Sequence, residues 1–163
     1  MSVLPPDAQV RSISIRAWCD LSRTGDAPPV TILLDGDSMR PLIRRGRDPV
    51  TIRPMDGALR RGDVVLFHHG EGRYVVHRVR RIRGRQVQTL GDNCWQADPW
   101  ISAEQVLGQA VCVRRGGRSI RLDNALARAW GRCWMACRPL RNLLRRCRGF
   151  AVRLARKIGL HRR

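Results

Sequence analysis

The segment RGDVVLFHHGEGRYVVHRVRRI, residues 61–82, decides the fold because it has the pattern of two strands joined by a tight loop. The apolar run 64–67 follows a Gly-Asp turn, and a second apolar run begins at Tyr74. Between them, residues 68–72 combine glycines with polar side chains, which is typical of a hairpin connection. The segment therefore predicts an antiparallel hairpin with strands over 64–67 and 74–82.

Short apolar runs on both sides of this hairpin extend the alternation of strands and turns. A single helical turn is expected at 102–106, and the Gly116-Gly117 pair is expected to end the unit. Many short strands with frequent turns are typical of a mainly β, antiparallel domain, which we place at residues 30–122. Its further strands are expected over residues 31–34, 48–54, 87–90 and 109–113.

The two ends of the chain differ from this β region. Residues 1–29 form an N-terminal segment, in which 11–21 is expected to be a short helix or strand. Residues 123–163 predict a basic amphipathic helical tail, interrupted near Pro139. Its apolar residues recur every three or four positions, with arginines on the other face: Leu126, Trp130, Cys133, Trp134, Cys137, Leu140, Leu143, Leu144, Cys147, Phe150, Leu154 and Ile158.

Positive charge is concentrated in the C-terminal third of a chain whose formal charge is +19. Residues 1–113 hold 16 arginines against 12 acidic residues, whereas residues 114–163 hold 15 arginines and one lysine against one aspartate. This density predicts an anionic partner, either a membrane surface contacted through 123–163 or, less favoured, nucleic acid. In the alternative interpretation, the apolar face of the tail packs on the β domain.

Composition gives no indication of a metal, a cofactor or a membrane span. The six cysteines lack the closely spaced pairs of a zinc site, so free thiols are expected. No signal peptide is visible in the sequence, and no apolar run reaches the roughly 18 residues that a spanning helix needs. We expect a monomer that is cytoplasmic or peripheral on the membrane.

Ser38, in the hexapeptide Gly-Asp-Ser-Met-Arg-Pro at 36–41, is the candidate nucleophile. A serine hydroxyl is a weak nucleophile until a neighbouring base takes its proton. The only lysine, Lys157, lies in the tail, so a histidine or a carboxylate must act as the base. His77, in the second strand of the hairpin, is the candidate, whereas an ordinary turn and a structural histidine are the simpler interpretations.

Two aspartates are candidates to hold the imidazole of His77. Alternation places His77 on one face of its strand with Val75 and Val79. Asp92 lies in a Gly-Asp-Asn turn, and Asp98 precedes a proline that keeps its backbone extended. Either carboxylate would fix the imidazole tautomer and stabilise the imidazolium, as in a hydrolytic triad.

Four blocks in this order, residues 36–41, 61–67, 75–79 and 91–98, resemble the type I signal peptidases. More broadly, they are similar to the serine-protease group that those enzymes share with self-cleaving repressors. The resemblance covers roughly residues 30–115, and it implies a small domain of coiled antiparallel β-strands.

The resemblance also implies roles for the candidate residues. Ser38 would be the nucleophile and His77 the general base, at the position where bacterial signal peptidases have a lysine and the endoplasmic-reticulum and archaeal types have a histidine. Asp98 would be the orienting acid, and Asp92 a second acid that sets the shape or charge of the site. No cofactor is implied.

Compared with the family, we expect two departures: a different oxyanion donor, and no N-terminal membrane anchor in this sequence. Many signal peptidases have a serine where this chain has Gly36, so the backbone amide of Ser38 or another donor must bind the oxyanion. Loss of one such donor costs about 3 kcal/mol of transition-state stabilisation in a serine protease. Beside the nucleophile, Met39 and Pro41 are candidates to line the substrate groove.

Three functions follow from these observations. The favoured one is a serine endopeptidase that cleaves a leader or signal-like peptide through Ser38 and His77. The alternative is a basic nucleic-acid- or membrane-binding protein whose peptidase-like domain is inactive. A self-cleaving regulator is the least favoured, because residues 1–29 are too short for a helix-turn-helix unit and the chain lacks a lysine base.

Overall fold

An eight-stranded antiparallel sheet is the centre of the protein in the computed structural model, which describes residues 15–24, 27–70 and 72–141. Helix α1 covers Ile15–Thr24, helix α2 covers Ala125–Ala136, and a 3₁₀ turn covers Ala103–Gln105. The strands are β1 Val30–Ile32, β2 Val50–Pro54, β3 Val64–His68, β4 Tyr74–Arg83, β5 Gln86–Leu90, β6 Trp100–Ser102, β7 Val106–Arg115 and β8 Arg118–Arg121. The prediction of a mainly β fold is confirmed.

The central strands of the sheet are β7, β3 and β4, and the order across it is β1-β2-β7-β3-β4-β5-β6, with β8 paired to β7. Strand β3 pairs with β4 as the hairpin that the sequence predicts, and Val65 lies opposite His77. Register shifts at Thr51/Ile52 and Leu66/Phe67 interrupt the pairing with β7. Such bulges bend strands and increase their twist.

Several predicted boundaries were wrong. The first strand ends at Ile32 and not at residue 34, because the carbonyl of Leu34 accepts the amide of Gly46 instead of a strand partner. Strand β7 runs over Val106–Arg115, so the expected helical turn is limited to three residues. The Gly116-Gly117 pair does not end the unit, because both glycines have positive φ and turn the chain into β8.

The sheet buries apolar side chains on both faces. In β3, Val64 and Leu66 contribute to one core, and Val65 and Phe67 contribute to the other. Burial on both faces explains why this strand is a continuous apolar run rather than an alternating one. The larger core also contains Trp18 of α1, which is fully buried and donates its indole N–H to the carbonyl of Pro28.

Candidate active site

The Ser38 turn lies after β1 and is tied to the loop that follows β5. The carbonyl of Ser38 accepts the backbone amide of Asn93 at 2.7 Å, and the side-chain amide of Asn93 donates to the carbonyl of Asp37 at 3.2 Å. Arg115 of β7 fastens the end of the turn by donating to the carbonyls of Pro41 and Leu42 at 3.1 and 2.7 Å. Segments far apart in sequence therefore meet around Ser38.

His77 pairs with Asp98, one of the two candidate acids. Nδ1 of His77 lies 2.7 Å from Oδ2 of Asp98, and both side chains are mostly buried. The hydroxyl of Thr89 donates to the same carboxylate oxygen at 2.6 Å, and the amide of Asp98 donates to the carbonyl of Thr89. With Nδ1 donating to the carboxylate, Nε2 of the neutral imidazole is left to accept a proton.

The environment of Asp98 keeps its carboxylate ionised. Burial raises the pKa of Asp98, but the hydrogen bond and charge of His77, together with the Thr89 hydroxyl, outweigh burial and hold the pKa below its ordinary value. An ionised carboxylate behind the ring stabilises the imidazolium that forms when Nε2 takes a proton.

Gly91 is the point where the Ser38 turn and His77 meet. A β-carbon on Gly91 would lie 2.8 Å from the carbonyl oxygen of Ser38 and 3.0 Å from Nε2 of His77. It would also lie 2.6 Å from Sγ of Cys94. Real β-carbons rarely approach other atoms so closely, so glycine is the residue that fits at this position without a shift of its neighbours. Nε2 of His77 therefore faces the side of the loop on which the Ser38 turn lies.

Asp92 lies on the other side of this loop and does not contact His77. Its carboxylate accepts from Nε and Nη2 of Arg78 at 2.8 and 2.7 Å, and both side chains are almost completely buried. Arg78 also donates to the carbonyl of Gly62, and Trp134 donates its indole N–H to the carbonyl of Asp92. Of the two candidate acids, only Asp98 contacts the imidazole.

The other predicted site residues have different positions. Met39 is fully buried in the larger core, so it supports the turn from below and does not line a surface groove as expected. Pro41 and Gly36 are exposed, and a β-carbon on Gly36 would meet nothing within 4 Å. Among the described residues, neither the hydroxyl nor the amide of half-buried Ser38 forms a hydrogen bond, to His77 or to another group.

An apolar cavity of about 390 Å³ lies beside the segment that leads from β1 to the Ser38 turn, and residues of α1, β3 and β4 also line it. Asp35 is its one acidic residue. Its lining residues are Ile15, Ile32, Leu33, Leu34, Asp35, Leu66, Tyr74 and Val76. Val76 and His77 are neighbours on β4, but alternation directs their side chains to opposite faces of the sheet. The cavity therefore adjoins the segment before Ser38 and the backbone of β4, and not the imidazole.

Two residues that shape the site, Thr89 and Gly91, were not predicted from the sequence. Alternation places Thr89 on the same face of β5 as Val87, and both are fully buried. A buried hydroxyl needs a hydrogen-bond partner, and this was the available signal. The role of Gly91 had no signal, because a Gly-Asp-Asn sequence is typical of an ordinary turn.

A scan against protein-family models matched no family to this chain, and a search of curated proteins matched none of them. Within residues 15–24, 27–70 and 72–141, no helix is long and apolar enough to cross a membrane. Over the same ranges, no group of three or more metal-ligating side chains comes together.

Proposed function

We propose that this protein is a serine endopeptidase of the signal-peptidase type, with Ser38 as nucleophile and His77 as general base. The observation that carries the proposal is the orientation of His77. Asp98 holds Nδ1 at 2.7 Å, which leaves Nε2 beside the loop that also contacts the Ser38 carbonyl. A histidine fixed by a carboxylate on one side and facing a serine turn on the other is the arrangement that activates a hydroxyl.

The reaction proceeds through an acyl-enzyme. The Ser38 hydroxyl oxygen attacks the scissile carbonyl while Nε2 of His77 takes its proton, and Asp98 stabilises the imidazolium. The amide of Ser38 donates to the developing oxyanion. The imidazolium then protonates the leaving amine, and the C–N bond breaks. A water molecule, activated by the same imidazole, releases the acyl group and regenerates the hydroxyl.

The substrate class follows from the shape of the surface beside Ser38. Strand β1 is at one end of the sheet order, so its outer edge is able to pair with an extended peptide. The apolar cavity lies between this strand and β4, where it would accept an aliphatic side chain of that peptide. We therefore propose an unfolded leader or signal-like segment with apolar and small residues before the scissile bond.

The test is turnover of such peptides by the full chain and by matched pairs of variants. Ser38→Ala and His77→Ala are expected to lower kcat/KM by at least about 10³-fold. Ser119→Ala, which changes an exposed serine of β8, and His68→Ala, which changes the histidine at the end of β3, are expected to retain activity. Unchanged turnover in Ser38→Ala would refute the proposal.

A further inference from the structure

Helix α2 is docked on the sheet through one side only. Gly131 is buried against Arg78, and a β-carbon there would lie 2.3 Å from Nη1 of that arginine. Trp134 donates to the Asp92 carbonyl, and Asn124 caps the helix by accepting the amide of Ala127. The helix is thus held by polar contacts to a buried ion pair, and its orientation is fixed.

An exposed apolar stripe runs along α2 and continues past its end to Leu140. Trp130, at the border with the docked side, also lies 5.7 Å from the Arg78 guanidinium and stacks on Trp134. We call this set the outer stripe: Leu126, Trp130, Cys133, Cys137 and Leu140. Leu126, Trp130 and Leu140 are 79%, 42% and 58% exposed. Within the described ranges, no member of the outer stripe belongs to either core. Contiguous exposed apolar residues mark interaction surfaces in soluble proteins.

A pocket of about 220 Å³ lies next to the outer stripe, and four arginines line it. Arg132 and Ala136 on its rim directly precede Cys133 and Cys137 of the stripe. We call the following set the arginine pocket: Arg61, Arg80, Arg81, Arg132, Met135 and Ala136.

The cations of the arginine pocket have no carboxylate partner among the described residues. In the part of the chain that the structure describes, no carboxylate forms an ion pair with Arg61, Arg80, Arg81 or Arg132. Burial, together with the charges of Arg81 and Arg138, lowers the pKa of Arg80. Clustered like charges repel one another, so a bound anion would relieve this repulsion. Guanidinium groups bind phosphate oxygens in a bidentate manner.

We propose that the arginine pocket binds the phosphate of an anionic phospholipid headgroup while the outer stripe enters the adjacent membrane interface. Basic and apolar groups side by side on one helix are typical of interfacial membrane binding. The exposed leucines favour a lipid over a nucleic acid as the ligand. Arginines bind a phosphodiester backbone through charge alone, whereas aliphatic side chains beside them gain from contact with a membrane interface. This inference does not depend on the proposed peptidase activity.

The first test is sedimentation of the full chain with vesicles of phosphatidylglycerol and phosphatidylcholine. Arg81→Gln/Arg132→Gln removes two exposed pocket charges, and Arg114→Gln/Arg118→Gln removes two exposed charges from the β7–β8 hairpin. We expect the pocket variant to bind about tenfold more weakly, and the control variant to change less than about threefold. Equal losses in the two variants would overturn the proposal.

The second test uses the wild-type chain and does not depend on how a variant folds. A water-soluble maleimide labels thiols, and the modified positions are mapped by mass spectrometry. Anionic vesicles are expected to slow the labelling of Cys133 and Cys137 at least fivefold, which is about the effect of one basic contact with the membrane surface. The labelling rate of Cys112 in β7 is expected to stay unchanged. Protection by inorganic phosphate alone, or by a DNA duplex as strongly as by vesicles, would overturn the lipid assignment.

Discussion

His77 and Arg78 are neighbours on β4, face opposite sides of the sheet, and pair with two aspartates of one loop. The His77–Asp98 and Arg78–Asp92 pairs have the same closest distance, 2.7 Å. They differ in burial, because the His77 and Asp98 side chains are 9% and 15% exposed, whereas those of Arg78 and Asp92 are 2% and 0% exposed. The two pairs therefore differ in access to solvent and in chemistry, but not in contact distance.

This difference separates a pair that is suited to proton transfer from one that is suited to structure. Imidazole loses and gains a proton near neutral pH, whereas guanidinium stays charged. The Arg78–Asp92 pair lies beneath α2, where Trp130 is 5.7 Å from the guanidinium and Trp134 bonds to the Asp92 backbone. It joins the helix to the sheet, while the partly open His77–Asp98 pair faces the Ser38 turn.

The largest expected effect comes from Asp98→Asn. The amide removes the negative charge that stabilises the imidazolium and favours the wrong tautomer of His77, so kcat/KM should fall about 10⁴-fold. Thermal unfolding should show that the variant remains folded, because the amide keeps the size of the original side chain and its remaining oxygen is still able to accept from Thr89. Activity within tenfold of wild type would contradict the assigned role.

The next effect is on stability, from Asp92→Asn. It leaves the Arg78 guanidinium buried without a counter-ion, which should cost about 3–5 kcal/mol of unfolding free energy. Denaturant unfolding measures the loss. The double variant Arg78→Met/Asp92→Leu should recover most of the loss, because replacement of a buried ion pair by apolar groups is often neutral. A single variant as stable as wild type would refute the structural role.

A smaller effect on turnover is expected from Gly91→Ala. The added methyl meets the Ser38 carbonyl and Nε2 of His77, so the two segments must move apart. A displacement of about 1 Å lowers kcat roughly 10²-fold. Gly57→Ala is the matched control, because a β-carbon there meets nothing within 4 Å and its φ is ordinary. Equal kinetics for the two variants would show that Gly91 does not position the site.

The smallest effect is a titration shift in His77→Ala. The imidazole lowers the pKa of Asp98, so its removal should let that pKa rise. Burial then still raises the pKa, and the Thr89 hydroxyl is the main group left to oppose it. A depressed carboxyl pKa stabilises the fold above the ordinary aspartate value of about 4, and this stability is lost as pH falls through the folded-state pKa. NMR titration of the Asp98 carboxyl, with His68→Ala as control, measures the shift. An unchanged Asp98 pKa would contradict this coupling.

Local patterns predicted the central hairpin and the face of β4 on which His77 lies, because period-2 alternation and turn chemistry act over a few residues. His77 shares a core with Val79 and half-buried Val75, as alternation predicts. The choice between Asp92 and Asp98 was left open, since it depends on which face of β4 each part of the loop meets. The short edge strand β8 was missed, because its four exposed residues lack an apolar pattern.

Helix α2 shows a second limit of sequence patterns. Its apolar spacing was identified, but spacing alone does not tell which face packs on the sheet. The small size of Gly131 and the indole N–H of Trp134 decide the docked side, through contacts to Arg78 and Asp92. Those contacts join residues more than 40 positions apart, and only the assembled sheet creates them.

The most direct test of the central claim is covalent labelling of Ser38 by an acylating serine-directed inhibitor, mapped by mass spectrometry. The proposed geometry predicts one label, on Ser38, in the wild-type chain and in His68→Ala. Labelling should fall at least about 10³-fold in His77→Ala, because the hydroxyl then lacks its base. Absence of a Ser38 label in the folded wild-type chain, or equal labelling rates with and without His77, would contradict the account.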